Sequence, residues 1–188
     1  MESITATQIV GGNPTKRRSV ADFYPTPPDV TQALMDFIQL PKGTVVWEPA
    51  CGSGDMVKVM EKNGLHVIGT DIQTGTDFLQ AEAPCEVEWI ITNPPFSLAE
   101  QFIRKSEEHK VPFAMLLKSQ YWHAAKRVAL FSSITPSYVL PLTWRPDFHF
   151  KTRKGGSPLM DVIWVVWIPG AYKTEYIPLV KPKVCDFL

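Results

Sequence analysis

The stretch Ile90-Ile91-Thr92-Asn93-Pro94-Pro95-Phe96 runs an apolar strand directly into an amide, two prolines and an aromatic ring. Each proline fixes its own φ and turns the residue before it away from the helical region, so the chain leaves the strand stiff and extended. The Asn93 side-chain oxygen and the Pro94 carbonyl can then face one amino group together. Phe96 adds a flat apolar face for a ring. Such an elbow suits a planar heterocycle carrying an exocyclic NH2. Asn-Pro and Pro-Pro also mark ordinary loops after strands, so the elbow takes its meaning from the rest of the chain.

Upstream, Val45-Val46-Trp47-Glu48-Pro49-Ala50-Cys51-Gly52-Ser53-Gly54-Asp55-Met56 reads as a strand ending in a carboxylate, then a glycine-bearing loop, then a helix. Gly52 and Gly54 let the loop backbone approach a ligand where a β-carbon would collide, and the helix over 55–63 points its donor end at that loop. Gly64 serves as C-cap, and residues 65–70 form a second strand ending at Asp71. A carboxylate roughly 20 residues after a glycine loop, at the end of the second strand, is where a βαβ nucleotide site holds ribose hydroxyls. Asp71 stands close to that interval.

These two stretches together resemble motifs I and IV of the S-adenosylmethionine-dependent amino methyltransferases of DNA, in particular the N6-adenine group and its small phage and prophage versions. Tyr24 and Thr26, in Tyr24-Pro25-Thr26-Pro27, match motif X, which in that family closes over the methionine end of the cofactor. Asp77-Phe78 resembles motif III, whose acid meets the adenine amino group of the cofactor. The resemblance implies a single α/β Rossmann-like methyltransferase domain over 22–188, behind a mobile arm over 1–21. Its sheet is mostly parallel and twisted, with one antiparallel strand. Only five residues separate Asp71 from Asp77, too few for a helix and a full strand, so the sheet is expected to be trimmed at that edge.

The same resemblance implies S-adenosylmethionine as cofactor, held by Tyr24, Thr26, Glu48, Pro49, Ala50, Gly52, Gly54, Asp55, Met56, Asp71, Ile72, Asp77 and Phe78. Asp71 then takes the ribose and Ile72 packs on the adenine. Asn93, Pro94, Pro95 and Phe96 become the catalytic elbow, and the substrate is an adenine flipped out of DNA. Cys51, with no basic neighbour in sequence, is read as a lining residue and not a nucleophile.

Other elements follow from periodicity. Thr26, Pro27 and Asp29 form a capping box that starts a helix at Thr26, with Val30, Ala33, Leu34, Phe37 and Ile38 on its buried face. Ser97 and Glu100 form a second box. Strands are expected over 88–92, 111–117 and 136–142, and over 162–168 with the antiparallel sense. Lys118 and Trp122 follow the end of a strand, on the edge where open α/β sheets bind ligands, and are placed on the rim of the substrate pocket. Trp144, Arg145 and Phe148 lead into a basic hairpin bearing Lys151, Arg153 and Lys154, suited to a phosphate backbone and an unstacked base. His149 is read as a surface or packing residue.

With 188 residues, 45% of them hydrophobic and 20% charged, the chain suits one globular domain. The formal net charge is zero, so contact with nucleic acid has to come from local patches such as Lys16-Arg17-Arg18 in the arm. Three separated cysteines without a CxxC pair argue for a reducing compartment and against a bound metal. No apolar run spans a bilayer and no signal peptide is evident, so no membrane partner is expected and the location is read as cytoplasmic, in a bacterium or phage-infected cell. Asn-Pro-Pro-aromatic also serves RNA adenine and protein glutamine methyltransferases, and cytosine N4 enzymes usually carry Ser in place of Asn93. A non-catalytic subunit of the same fold is the alternative from another class. With no separate recognition domain in view, either the hairpin and arm read a short site, or specificity is low, or a partner supplies it; a specificity partner or a homodimer is expected as a possible assembly.

Overall fold

Apolar runs too short for helices, each bounded by turn residues, set the framework of the computed structural model, which describes residues 24–84, 86–125, 127–148 and 160–183. The whole of the expected arm, Cys85, His149 and the hairpin residues Lys151, Arg153 and Lys154 lie outside the described residues. The strands are β1 (Val45–Glu48), β2 (His66–Gly69), β3 (Trp89–Thr92), β4 (Phe113–Lys118), β5 (Tyr138–Pro141), β6 (Val162–Trp167) and β7 (Glu175–Tyr176). The helices α1 (Pro28–Ile38), α2 (Asp55–Lys62), α3 (Ala99–Glu108) and α4 (Arg127–Ser133) occupy the longer amphipathic stretches. No helix among the described residues is long and apolar enough to cross a membrane.

One sheet takes all seven strands in the order β2-β1-β3-β4-β6-β5-β7. β1 pairs in parallel with β2 and β3, and β3 with β4. β6 runs antiparallel to both β4 and β5. The C-terminal ends of β1, β2, β3, β4 and β5 therefore meet one edge, the edge on which parallel sheets bind ligands. β2 is the outermost strand, and between it and β3 the described residues form a 3-10 turn (Ile72–Thr74) and other turns, with no further strand. The expected mostly parallel sheet with one antiparallel strand, trimmed beyond β2, is what the chain forms.

Alternation along the strands divides the core into two layers. Val46, Ile91, Ala114, Leu116 and Trp164 pack with α1 and α2, while Trp47, Ile90, Phe113, Met115, Leu117 and Val165 pack with α3. Phe113 and Trp167 stack with centroids 4.7 Å apart. The Trp164 indole donates to the Val30 carbonyl at 2.9 Å, which fastens α1 across the sheet.

Three local expectations are corrected. α1 begins at Pro28 with an extended Pro27 at its N-cap (ψ 140°) and no side-chain cap. Pro28 drives the preceding residue out of the helical region, so Pro27 cannot be the first helical residue. The Thr26 hydroxyl bonds Asn93 instead, and the Asp29 carboxylate accepts from the Trp144 indole at 2.9 Å. Ser97 likewise caps nothing, because Phe96–Leu98 is a tight 3-10 turn leading into α3, and Glu100 pairs with Arg104 and Arg127. Finally, β7 was not anticipated. It adds in parallel to β5, and the following chain returns to the ligand edge, where Thr143 donates to the Leu179 carbonyl and Lys181 lies 3.7 Å from Asp29.

Replacing Trp164 with Phe removes the indole N–H and part of the buried ring, and leaves the Val30 carbonyl with its bond inside the helix alone. Chemical denaturation is expected to show a loss of about 1–3 kcal/mol; unchanged stability would mean that the bond does not hold α1.

Candidate active site

The glycine loop is shaped by hydrogen bonds to its own neighbours. Cys51 N–H donates to the Thr70 carbonyl at 2.9 Å and Gly54 N–H to the Cys51 carbonyl at 2.8 Å. Gly54 lies at φ 74°, in the left-handed region, with nothing within 4 Å of where a β-carbon would stand. Its glycine is required by backbone conformation and leaves open space above the start of α2. The Ser53 hydroxyl donates to the Asp55 carboxylate. Met56, expected at the cofactor, is turned into the core beneath α2.

Asp71 is 8% exposed. Its Oδ2 accepts from Gly52 N–H at 2.9 Å and its Oδ1 from Gln73 N–H at 2.8 Å. One carboxylate thus holds the glycine loop against the turn after β2, and about two of its four lone-pair sites stay available. Ile72 beside it is 68% exposed, an apolar side chain held at the rim. Asp77 is exposed and accepts from Leu79 N–H at 3.0 Å. The Phe78 ring does not line the loop. It is buried among Trp47, Phe102 and His109, with centroids 5.0, 4.8 and 6.1 Å away.

Glu48 ends β1 with 1% of its surface exposed. Its Oε1 accepts from Thr92 Oγ1 at 2.6 Å and from Ala50 N–H at 3.1 Å, whereas the buried Oε2 has no partner. Burial pushes the carboxyl up to about 8, against the lowering effect of the Thr92 and Ala50 hydrogen bonds. The shift favours the neutral, protonated carboxyl near neutral pH. Burial, then the neighbouring Glu48 and Asp71 carboxyls, also pushes the Cys51 thiol up, which disfavours the thiolate a nucleophile needs.

Thr92 passes directly into the elbow. Pro94 is buried, and Asn93, Pro95 and Phe96 are half-buried. Asn93 Nδ2 donates to Thr26 Oγ1 at 3.0 Å and to the Tyr24 carbonyl at 3.4 Å. Its Oδ1 is screened from water and has no partner. Desolvating an acceptor without a bond costs about 1–3 kcal/mol, so this oxygen is the group of the elbow that an incoming donor would satisfy. Tyr24 lies 6.0 Å from Phe96, ring to ring, and Lys118 Nζ stands 4.4 Å from the centre of the Phe96 ring.

The remaining substrate candidates divide. Phe148 is 3% exposed and meets Tyr24 edge-on at 6.2 Å, so it backs the motif X segment and presents no open face to a base. Trp144 is tied to Asp29, and Trp122 packs on Phe131 at 4.3 Å. Arg145 is exposed and paired with Asp161 at 2.8 Å. Sequence reasoning missed Thr92 and Gly69. The first is a polar residue inside an apolar strand, a readable signal. The second gave none, since a β-carbon there would stand only 3.3 Å from the Cys51 side chain, a contact made across the fold. A separate cleft of about 390 Å³ opens by Met35, Gln39, Asn63 and Leu65, at the opposite end of β2 from this site.

Neither family models nor curated proteins return a match to the sequence. Solved structures do. The type I restriction-modification system methyltransferase subunit from Streptococcus thermophilus superposes with a TM-score of 0.61 at 12% identity, over 85% of this chain and 48% of that one. A proposed RNA methyltransferase from Pyrococcus horikoshii gives 0.57 at 16% identity, over 88% of this chain and 100% of that one. The fold is that of the Rossmann-like methyltransferases. A dimethyladenosine transferase from Plasmodium falciparum shares it, with 0.53 at 13% identity over 78% and 63% of the two chains. This methyltransferase-fold chain spans about half the length of the type I subunit.

Glu48 gives a pH test. Its carboxyl ordinarily titrates at 4.5 and in the folded chain at about 8, so its contribution to stability is complete below the lower value and is lost as pH rises through the upper one. Denaturation midpoints between about pH 5 and pH 8 are expected to fall more steeply in the parent than in Glu48→Gln, which keeps the Oε1 acceptor and cannot ionise. Parallel pH profiles would contradict a protonated Glu48.

Proposed function

We propose that this chain transfers a methyl group from S-adenosylmethionine to the exocyclic N6 amine of adenine in DNA. The observation that carries the reading is the divided amide of Asn93: Nδ2 is satisfied within the protein, while Oδ1 is buried without a partner. A proline elbow with one reserved acceptor suits a donor-bearing ring.

The residues present fit the cofactor. The loop at Gly52 and Gly54, the free lone pairs of Asp71 and the exposed Ile72 side chain offer a backbone cradle, a ribose acceptor and an apolar lid for a purine. Tyr24, Pro49, Ala50 and Asp55 would flank it, with Glu48 bracing the loop from beneath and Asp77 at the trimmed edge. S-adenosylmethionine supplies an electrophilic methyl group when bound.

At the elbow, Asn93 Oδ1 and the Pro94 carbonyl accept both N–H bonds of the amine and hold it in line. An adenine amine is a poor nucleophile because its lone pair is shared with the ring. Two acceptors draw electron density back to nitrogen, and the proton leaves to water after transfer, so no general base is required. Pro95 keeps the turn extended and Phe96 stacks on the base. Since Lys118 stands over that ring, stacking on the same face displaces it and frees a cation for the backbone phosphates. A duplex hides N6, so the base is flipped out. Recognition of flanking sequence is assigned to Arg145, to Lys151, Arg153 and Lys154, and to a specificity partner or second copy.

RNA adenine is the second reading, kept because the proposed RNA methyltransferase shares the fold over 88% of this chain and 100% of its own length. Methyl transfer from labelled cofactor to DNA and to RNA, followed by nucleoside analysis, separates the two. Asn93→Ala is expected to lower transfer by at least about 100-fold while calorimetric affinity for S-adenosylmethionine stays within about twofold of the parent. Asp71→Ala is expected to weaken that affinity by about tenfold, the loss of one charge-assisted hydrogen bond. Full activity in Asn93→Ala, or no cofactor binding by folded parent protein, sinks the reading.

A further inference from the structure

The segment ahead of α1 touches the elbow at three points. The Tyr24 carbonyl and the Thr26 hydroxyl both receive Asn93 Nδ2, and the Tyr24 ring lies by Phe96. A carbonyl oxygen only accepts, so the Tyr24 carbonyl dictates which end of the Asn93 amide faces inward. Turning the amide over would set Oδ1 against that carbonyl, oxygen to oxygen. Thr26 makes the shorter of the two bonds and is 4% exposed, so water does not compete for it. Its place is stiff as well. Pro25 precedes it, and Pro27 follows in an extended conformation (φ −58°, ψ 140°), which holds Thr26 out of the helical region and away from α1.

We propose that Thr26 is a positioning residue, which with the Tyr24 carbonyl locks the Asn93 amide with its oxygen toward the substrate. This role rests on the methyl-transfer reading above and departs from the motif X resemblance, which placed Thr26 against the cofactor. Its partner is 67 positions along the chain. Without the Thr26 hydroxyl, only the longer bond to Tyr24 restrains the amide, and the acceptor spends part of its time turned away from the amine.

The test compares Thr26→Val, which keeps the shape and removes the hydroxyl, with Thr26→Ser, which keeps the hydroxyl. With labelled S-adenosylmethionine and adenine-containing DNA or RNA, Thr26→Val is expected to lower kcat by about 10- to 100-fold with KM for the cofactor within about twofold. Thr26→Ser restores kcat to within about threefold of the parent. The Asn93 side-chain amide signal, identified by its loss in Asn93→Ser, should exchange its protons with water about tenfold faster in Thr26→Val, as expected on losing one buried hydrogen bond. Should Thr26→Val fail to fold, Thr26→Ala carries the same comparison. Unchanged kcat and exchange overturn the proposal, as does a fall in activity that follows loss of cofactor affinity. If the parent methylates neither DNA nor RNA, the functional reading fails by itself, and the exchange measurement alone decides whether Thr26 locks the amide.

Discussion

The hydrogen bond from Thr92 to the buried Glu48 carboxyl joins the ends of two adjacent parallel strands, and the site is assembled around it. The glycine loop leaves β1 immediately after Glu48, and its Ala50 N–H falls on the same carboxyl oxygen. The proline elbow leaves β3 immediately after Thr92. A single oxygen therefore sets the two loops in register. Removal from water drives the carboxyl into its neutral form, which avoids burying a charge with no counter-ion in the core.

A second carboxylate does the corresponding work one strand further out. Asp71 ties the glycine loop to the turn after β2, through Gly52 and Gln73. Glu48 sits beneath the loop between apolar layers, whereas Asp71 accepts two backbone N–H bonds near the rim. Because β2 is the last strand on its side, Ile72 has no further strand to cover it and remains exposed. The trimmed edge thus leaves an apolar surface beside an acceptor, a combination suited to a nucleoside.

Strand positions were legible because buried parallel strands are short apolar runs, and βαβ handedness leaves few ways to order them. The glycine loop, Asp71 and the elbow were legible for a related reason: each lies at a strand end, so chain order already carries them to one edge. The capping boxes misled. Thr26, Asp29 and Ser97 have the right chemistry for local caps, but a cap is worth only about 1 kcal/mol, and partners elsewhere in the fold compete for the same atoms. Thr26 is taken by Asn93, and Asp29 by Trp144, 115 positions away. Aromatic residues misled in the same manner, since Phe78 and Phe148 could serve a site or a core with equal ease, and packing took both into the core.

Residue order and side-chain chemistry thus specified the α/β class, the parallel edge and the two loops that meet there, because those features depend on spacing of a few residues. The direction of the Asn93 amide, the proton on Glu48, the place of Lys118 over Phe96 and the return of the chain beyond β7 depend on contacts between distant segments. Hydrogen bonds and burial act through distance in space, and chain separation does not encode that distance until the sheet has formed.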